Sequence, residues 1–293
     1  MNKSTIYSLL KFNRSLCWRI TSKCNLNCPH CLVRSNPASN DLKTNEALEV
    51  VSIISQIGLK KLSFSGGEPL LRSDLKDIIR HAQNLGLKCS ITTNGLLLNS
   101  DWLDFFADNK DLRLRISLDG PKDIHENFRG TNSFDKVYTK IAQAINKGVK
   151  IEINTVLTPK LINILPDFLN LLDNLRVGRV NFLTFMKRNK AFREDEFQLT
   201  EKNIDLAKSI IRECIKNNKN LVHVKINDYS QNDRHKLVIE PDGKLVSYGN
   251  KIDKDIYFEN VFKSNELKKA IKTCLPETPI NIFAHRKVNQ LNK

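Results

Sequence analysis

Residues 61–95, KLSFSGGEPLLRSDLKDIIRHAQNLGLKCSITTNG, decide the fold class. Lys61 to Phe64 is a short β-type run that ends at the Gly66-Gly67 pair. Ser73 to Leu85 then has an amphipathic helical pattern, with Ser73 as its expected cap and Gly86 as its stop. Leu87 to Thr92 is the next β-type run. A strand, a helix and a strand joined by short turns make one βαβ unit, with parallel strands and a right-handed crossover.

The same alternation extends in both directions. Upstream, Leu16 to Thr21 reads as a strand and Thr44 to Ile57 as a helix with Thr44 as cap. Downstream come a helix from about Ser100 to Ala107, a strand at Leu112 to Leu118, and a helix at Ser133 to Asn146 ended by Gly148. A strand at Lys150 to Leu157, a helix at Ile164 to Leu175 and a strand at Val177 to Phe185 follow. Six strand–helix units in series predict an α/β fold, a partial (β/α)6 TIM-like barrel with helices outside a parallel sheet. Functional residues then belong at the C-terminal strand ends. After Phe185 the pattern changes. Met186 to Thr200 is charged and loop-like, and Glu201 to Asn217 reads as a helix. KLVIEPDGKLVSYGN from Lys236 reads as a hairpin turning on Pro241-Asp242-Gly243, and Ser264 to Thr273 as a last helix. The expected division is a core, 1–185, and a small α+β extension, 186–293.

The bulk composition narrows the function classes. No apolar run approaches the roughly 20 residues of a membrane span. The segment MNKSTIYSLLKFNRSL has a short apolar stretch and no small-residue cleavage site, so the expected compartment is the cytoplasm. The formal net charge is +15, from 47 Lys and Arg against 32 Asp and Glu, which permits an anionic partner. The basic residues are spread along the chain, and no nucleic-acid-binding signature accompanies them. Of seven cysteines, Cys24, Cys28 and Cys31 fall within eight residues, and Cys17, Cys89, Cys214 and Cys274 stand singly. A tight cluster of this kind reads as metal binding rather than as a disulfide framework.

Cys24-Asn-Leu-Asn-Cys28-Pro-His-Cys31 lies just after the first strand. Three thiolates on one loop can hold three corners of an iron–sulfur cubane and leave the fourth iron open. Structural zinc needs four ligands. His30 is too close to Cys31 to complete such a site, and the next candidates, His81 and Cys89, are far along the chain.

This spacing, with a ring-bearing residue before the last cysteine, resembles the signature of the radical S-adenosylmethionine (SAM) superfamily. The resemblance covers about residues 15 to 185, with the motifs in family order. It implies one [4Fe–4S] cluster held by Cys24, Cys28 and Cys31, with SAM chelating the open iron. His30 takes the position whose backbone lies near the adenine; the alternative is a loop histidine with no direct role. Ser65, Gly66, Gly67 and Glu68 correspond to the element that binds the SAM amino group, with Glu68 as acceptor. Thr93 and Asn94 neighbour the methionine or ribose part. Ser117 and Arg129 are candidates for the SAM carboxylate, and Asp119 shapes the pocket. Val156 or Leu157 packs on the adenine, or both are plain core.

The core is most like the branch holding the molybdenum-cofactor cyclase and the peptide-modifying SPASM and twitch enzymes. Those relatives carry cysteines where this chain has Ser247 or Tyr248, and only Cys274 lies downstream. The extension therefore reads as a cluster-free remnant that caps the barrel. The implied chemistry is reductive cleavage of SAM, with flavodoxin or ferredoxin as electron donor, to a 5′-deoxyadenosyl radical that takes hydrogen from a substrate. A ribosomal peptide or protein is the first expectation. A small molecule (a nucleotide, sugar or antibiotic precursor) and a non-catalytic Fe–S binding module are the alternatives.

Overall fold

A computed structural model describes residues 15–31, 40–57, 59–185, 196–228, 236–248 and 255–262. Six parallel strands run in chain order: β1 (Ser15–Arg19), β2 (Lys61–Ser65), β3 (Lys88–Thr93), β4 (Arg113–Ser117), β5 (Ile151–Leu157) and β6 (Arg179–Thr184). Between and after them lie α1 (Thr44–Gln56), α2 (Leu75–Asn84), α3 (Ser100–Asp108), α4 (Lys122–Arg129), α5 (Phe134–Asn146), the short α6 (Pro159–Ile162), α7 (Leu165–Asn174) and α8 (Glu201–Asn217). The expected α/β architecture is present, and the sheet is not closed.

A seventh parallel strand, β7 (His223–Asn227), joins β6 and was not anticipated. All five of its residues are half-buried, so it lacks the apolar run that marks a core strand. The hairpin forms as expected from β8 (Lys236–Ile239) and β9 (Lys244–Tyr248), with Gly243 at φ 83° in its turn. An unanticipated β10 (Ile256–Asn260) pairs antiparallel with β9. β8 lies parallel to β1, so one ten-stranded sheet results, in the order β10-β9-β8-β1-β2-β3-β4-β5-β6-β7.

Two expected caps shift. Thr44 is the first residue of α1 rather than its cap, and its hydroxyl donates to Asp74 Oδ2 at 2.6 Å. Asp74, not Ser73, precedes α2. The helix α4, after Pro121, had not been read from the sequence; it puts Ile124, His125 and Phe128 in the interior. Residues 186–195, the helix expected at Ser264 to Thr273, and Cys274 lie outside the described residues.

Alternation along the strands separates two faces. Leu62, Phe64, Ile91, Leu114, Ile116, Ile153 and Phe182 point one way and are fully buried. The opposite face carries a polar layer. There Arg115 Nε donates to Glu152 Oε2 at 2.9 Å, and Arg115 Nη1 donates to Ser63 and Ser90. Asn181 Nδ2 contacts Asn154 Oδ1 at 3.1 Å. Burial opposes the charge on Glu152, but Arg115 and then Arg113 hold its carboxyl below the usual range. Two residues further along each strand this face reaches the C-terminal ends, and the candidate site lies there. Among the described residues no helix is long and apolar enough to cross a membrane.

Candidate active site

A cavity of about 270 Å³ opens at the C-terminal strand ends. Cys24, Cys28 and Cys31 line one part of it, with His30. Ser65, Gly66 and Gly67 from the turn after β2 line it too, as do Thr93 and Asn94 from the end of β3. Ser117, Arg129 and Val156 complete the expected set that reaches the cavity. Three expected residues do not line it. Leu157 is fully buried and belongs to the core, whereas Val156, one residue earlier, faces the cavity. Glu68 and Asp119 lie beneath the lining, at 1% and 0% exposure.

The glycine pair also packs against the chain's own backbone. Gly67 N–H donates to Thr21 O at 2.8 Å, and Glu68 N–H to Lys23 O at 2.7 Å. The turn is thus laced to the backbone that enters the cysteine loop. A Cβ on Gly67 would stand 2.0 Å from Lys23 O, and one on Gly66 2.5 Å from Thr21 O, with Gly66 at φ 151°. The close approach that demands glycine is to the chain itself, not only to a ligand.

Glu68 has its acceptors engaged. Oε1 accepts from Thr93 Oγ1 at 2.7 Å and from Leu70 N–H at 3.1 Å, and Oε2 from Asn94 N–H at 2.8 Å. Burial pushes its carboxyl up, and these hydrogen bonds offset part of that. Glu68 therefore fixes the Thr93-Asn94 turn. Asn94 Nδ2 in turn donates to Asn25 Oδ1 at 2.8 Å, tying that turn to the cysteine loop.

Sequence reasoning missed Asp41. Its Oδ2 accepts from Thr21 Oγ1 at 2.5 Å, and its Oδ1 accepts from both the N–H and the hydroxyl of Ser22 at 2.9 Å. The cysteine loop is thus anchored where it leaves β1. A lone aspartate in a polar stretch gives no local signal for such a contact.

Asp119 is the electrostatic centre below the cavity. Its Oδ2 accepts from Arg129 Nε at 2.6 Å, and its Oδ1 from Val156 N–H at 3.0 Å. Its own N–H donates to His125 Nδ1 at 3.2 Å. Burial alone would raise its pKa, but Arg129 above all holds it down at about 2. His30 Nε2 lies 4.0 Å from Oδ2. Burial lowers the His30 pKa to about 4, so at neutral pH this is a contact of a neutral ring, and Arg129 is the ionic partner. A carboxyl depressed in the folded state stabilises above its ordinary pKa near 4 and loses that contribution as pH falls toward 2. The contribution is on the order of 2–3 kcal/mol. Urea midpoints of the wild type and an Asp119→Asn variant are expected to differ at pH 5 and to converge as the pH approaches 2.

The donor set fits an iron–sulfur cubane. Cys24, Cys28 and Cys31 are free thiols on one loop around one cavity, with Cys31 N–H bonded to Cys28 O at 3.2 Å. Leu26 N–H points at Cys24 Sγ at 3.4 Å. Burial pushes the Cys28 thiol up to about 11 and raises Cys24, so cluster loading would displace protons. Among the described residues no three His, Cys, Asp or Glu side chains converge on the single point a mononuclear ion needs. A cubane instead gives each thiolate its own iron.

A model of the radical SAM superfamily matches residues 18–172. The chain belongs to the radical SAM superfamily. Members use a [4Fe–4S] cluster and SAM, and the radical SAM relatives below are enzymes. One is an AdoMet-dependent heme synthase of Oleidesulfovibrio alaskensis, 32% identical over 166 residues, covering 55% of this chain and 43% of the relative. Another is a PqqA peptide cyclase of Bradyrhizobium diazoefficiens, 29% identical over 184 residues, covering 59% and 48%. The chain spans about half the length of these curated relatives. Streptococcus suis SuiB bound to the precursor peptide SuiA superposes with a TM-score of 0.73 at 15% identity, over 92% of this chain and 67% of that one. This last likeness is one of fold.

Proposed function

We propose that the chain is a radical SAM enzyme in which Cys24, Cys28 and Cys31 hold the cluster and the adjoining strand-end turns hold SAM. The observation that carries this reading is the shared cavity: the three free cysteines and eight further expected contact residues, besides His30, line it together. When bound there, the cluster and SAM would supply a 5′-deoxyadenosyl radical able to take a hydrogen atom from an unactivated C–H bond.

The chain's own residues orient and enclose. Arg129 spends Nε on Asp119 and has no further acceptor among the described residues, so its two terminal nitrogens are available for the SAM carboxylate. Ser117 stands on the same cavity and would add a hydroxyl. Val156 offers an apolar surface to the adenine, and its N–H is held by Asp119, which couples that surface to Arg129. Ser65, Gly66, Gly67, Thr93 and Asn94 would meet the rest of SAM. Glu68 acts through Thr93 and Asn94.

The same reading divides the chain into a catalytic core, 1–185, and an extension, 186–293, that completes the cavity. Val238 and Tyr248 of the extension line it, which supports a role in shaping the substrate end. A reducing compartment such as the cytoplasm suits the cluster, and a flavodoxin or ferredoxin would supply the electron. The likeness to a peptide cyclase favours a peptide substrate. The test is isotopic. An extract of cells grown on deuterated medium is separated by dialysis into peptide and small-molecule fractions, and each is offered to the loaded enzyme. Deuterium in 5′-deoxyadenosine from the peptide fraction alone is the expected result; transfer from the small-molecule fraction alone would replace the peptide reading.

A further inference from the structure

Arg19 has no part in the function proposed above. It ends β1 beside Ser65 of β2, and it lines the cavity. A guanidinium carries five N–H donors in a rigid planar fork. Among the described residues, one nitrogen of Arg19 makes all of its side-chain hydrogen bonds. Nη1 donates to Glu240 Oε1 at 3.1 Å, to Glu240 Oε2 at 3.0 Å and to Tyr248 Oη at 3.1 Å. Tyr248 Oη donates in turn to Glu240 Oε1 at 2.6 Å, and its ring centre lies 4.9 Å from Arg19 Cζ.

Arginine–carboxylate bridges frequently set two nitrogens against two oxygens. Here both carboxylate oxygens converge on Nη1, and the Nε and Nη2 edge meets no acceptor among the described residues. The Arg19 side chain is only 8% exposed, so those donors are neither dispersed in bulk water nor used by the fold. They are held rigid beside a cavity. Glu240 and Tyr248 both come from the extension, 221 and 229 residues away in sequence. The extension therefore fixes the orientation of a core residue.

We propose that Arg19 is a specificity-determining residue that binds a carboxylate of the substrate through its Nε and Nη2 edge, with Glu240 and Tyr248 as its positioning residues. The inference rests on the reading of this cavity as the SAM and substrate site, with Arg129 taking the carboxylate of SAM itself. The match is to a planar monoanion. The planar Nε and Nη2 edge fits the two coplanar oxygens of a carboxylate, which beside the Arg19–Glu240 pair leaves one net negative charge in the site, against two for a phosphate dianion.

The test uses the cluster-loaded protein with SAM bound, and two isosteric probes: N-acetyl-glutamate methylamide and its glutamine counterpart. Their affinities are measured by equilibrium dialysis, with inorganic phosphate as competitor. The glutamate probe is expected to bind about tenfold tighter than the glutamine probe, as charge-assisted bidentate hydrogen bonds allow. Arg19→Gln alone would leave Glu240 buried and unpaired, and that variant can fail to fold. The charge-balanced Arg19→Gln/Glu240→Gln variant is therefore the informative one, and in it the preference is expected to fall to about one. Equal affinities in the wild type, a preference that survives in the double variant, or stronger displacement by phosphate than by glutamate would each overturn the proposal. A parallel loss of SAM affinity in the double variant would assign Arg19 to the cofactor and also overturn it. Failure of the wild type to load a cluster or bind SAM is a separate result, which removes the proposed function and this inference with it.

Discussion

Replacing Cys28 by alanine is expected to abolish cluster retention and to reduce 5′-deoxyadenosine formation at least about 1,000-fold, the loss of one irreplaceable ligand. Cys28 is 8% exposed on a loop that also carries Cys24 and Cys31. Cys17 lines the same cavity but is fixed in β1, paired with Ser63 and Val238, and cannot take the vacated corner without breaking that strand. Cys89 gives the contrast. It is buried at 2% exposure in β3, away from the cavity, and behaves as a small hydrophobe. Cys89→Ala is expected to cost about 1 kcal/mol of stability and to keep iron content and SAM cleavage. Iron analysis and thermal melts on both variants check this. Equal loss of iron in the two would mean that packing, not ligation, explains the Cys28 result.

Gly67→Ala is expected to be the most damaging single methyl addition in the core. The new Cβ would stand 2.0 Å from Lys23 O and 2.5 Å from Lys23 C, both backbone atoms with no rotamer to relax into. Relief requires separating the turn after β2 from the segment that enters the cysteine loop. That separation breaks the Gly67-to-Thr21 and Glu68-to-Lys23 hydrogen bonds together. The expected cost is about 3 kcal/mol or more, at the upper end for overpacking, with a fall in Tm of roughly 6 °C or more. The Gly86→Ala control meets no atom within 4 Å, and its cost reflects only its φ of 80°. A Gly67→Ala variant with wild-type Tm and iron content would show that the two segments are not locked as described.

What the sequence made legible was local. Strand–helix alternation, glycine stops and the cysteine spacing each depend on residues within about ten positions, and these produced β1 to β6, most helices and the cavity-lining cysteines. β7 escaped because a half-buried strand has no continuous apolar run, and α4 because eight mostly polar residues between a strand and a helix read as a turn. Within the site, residue identity was easier to read than orientation. Glu68 follows the cavity-lining glycine pair, yet its oxygens face Thr93, Asn94 and Leu70. Choosing between Val156 and Leu157 depended on strand parity, which one residue reverses. Asp41 and the Arg19–Glu240 pair are long-range contacts, and no periodicity in one chain announces a partner 221 residues away.

The central claim is that this cavity holds a [4Fe–4S] cluster with one iron open to SAM. The direct measurement is electron paramagnetic resonance of the anaerobically reconstituted, dithionite-reduced protein, recorded before and after addition of SAM. The expected result is about four irons per chain, the signal of a reduced cubane, a change in that signal when SAM binds, and 5′-deoxyadenosine in the same sample. A chain that binds zinc in place of iron, or a cluster whose signal SAM leaves unaltered and which yields no 5′-deoxyadenosine, would contradict it.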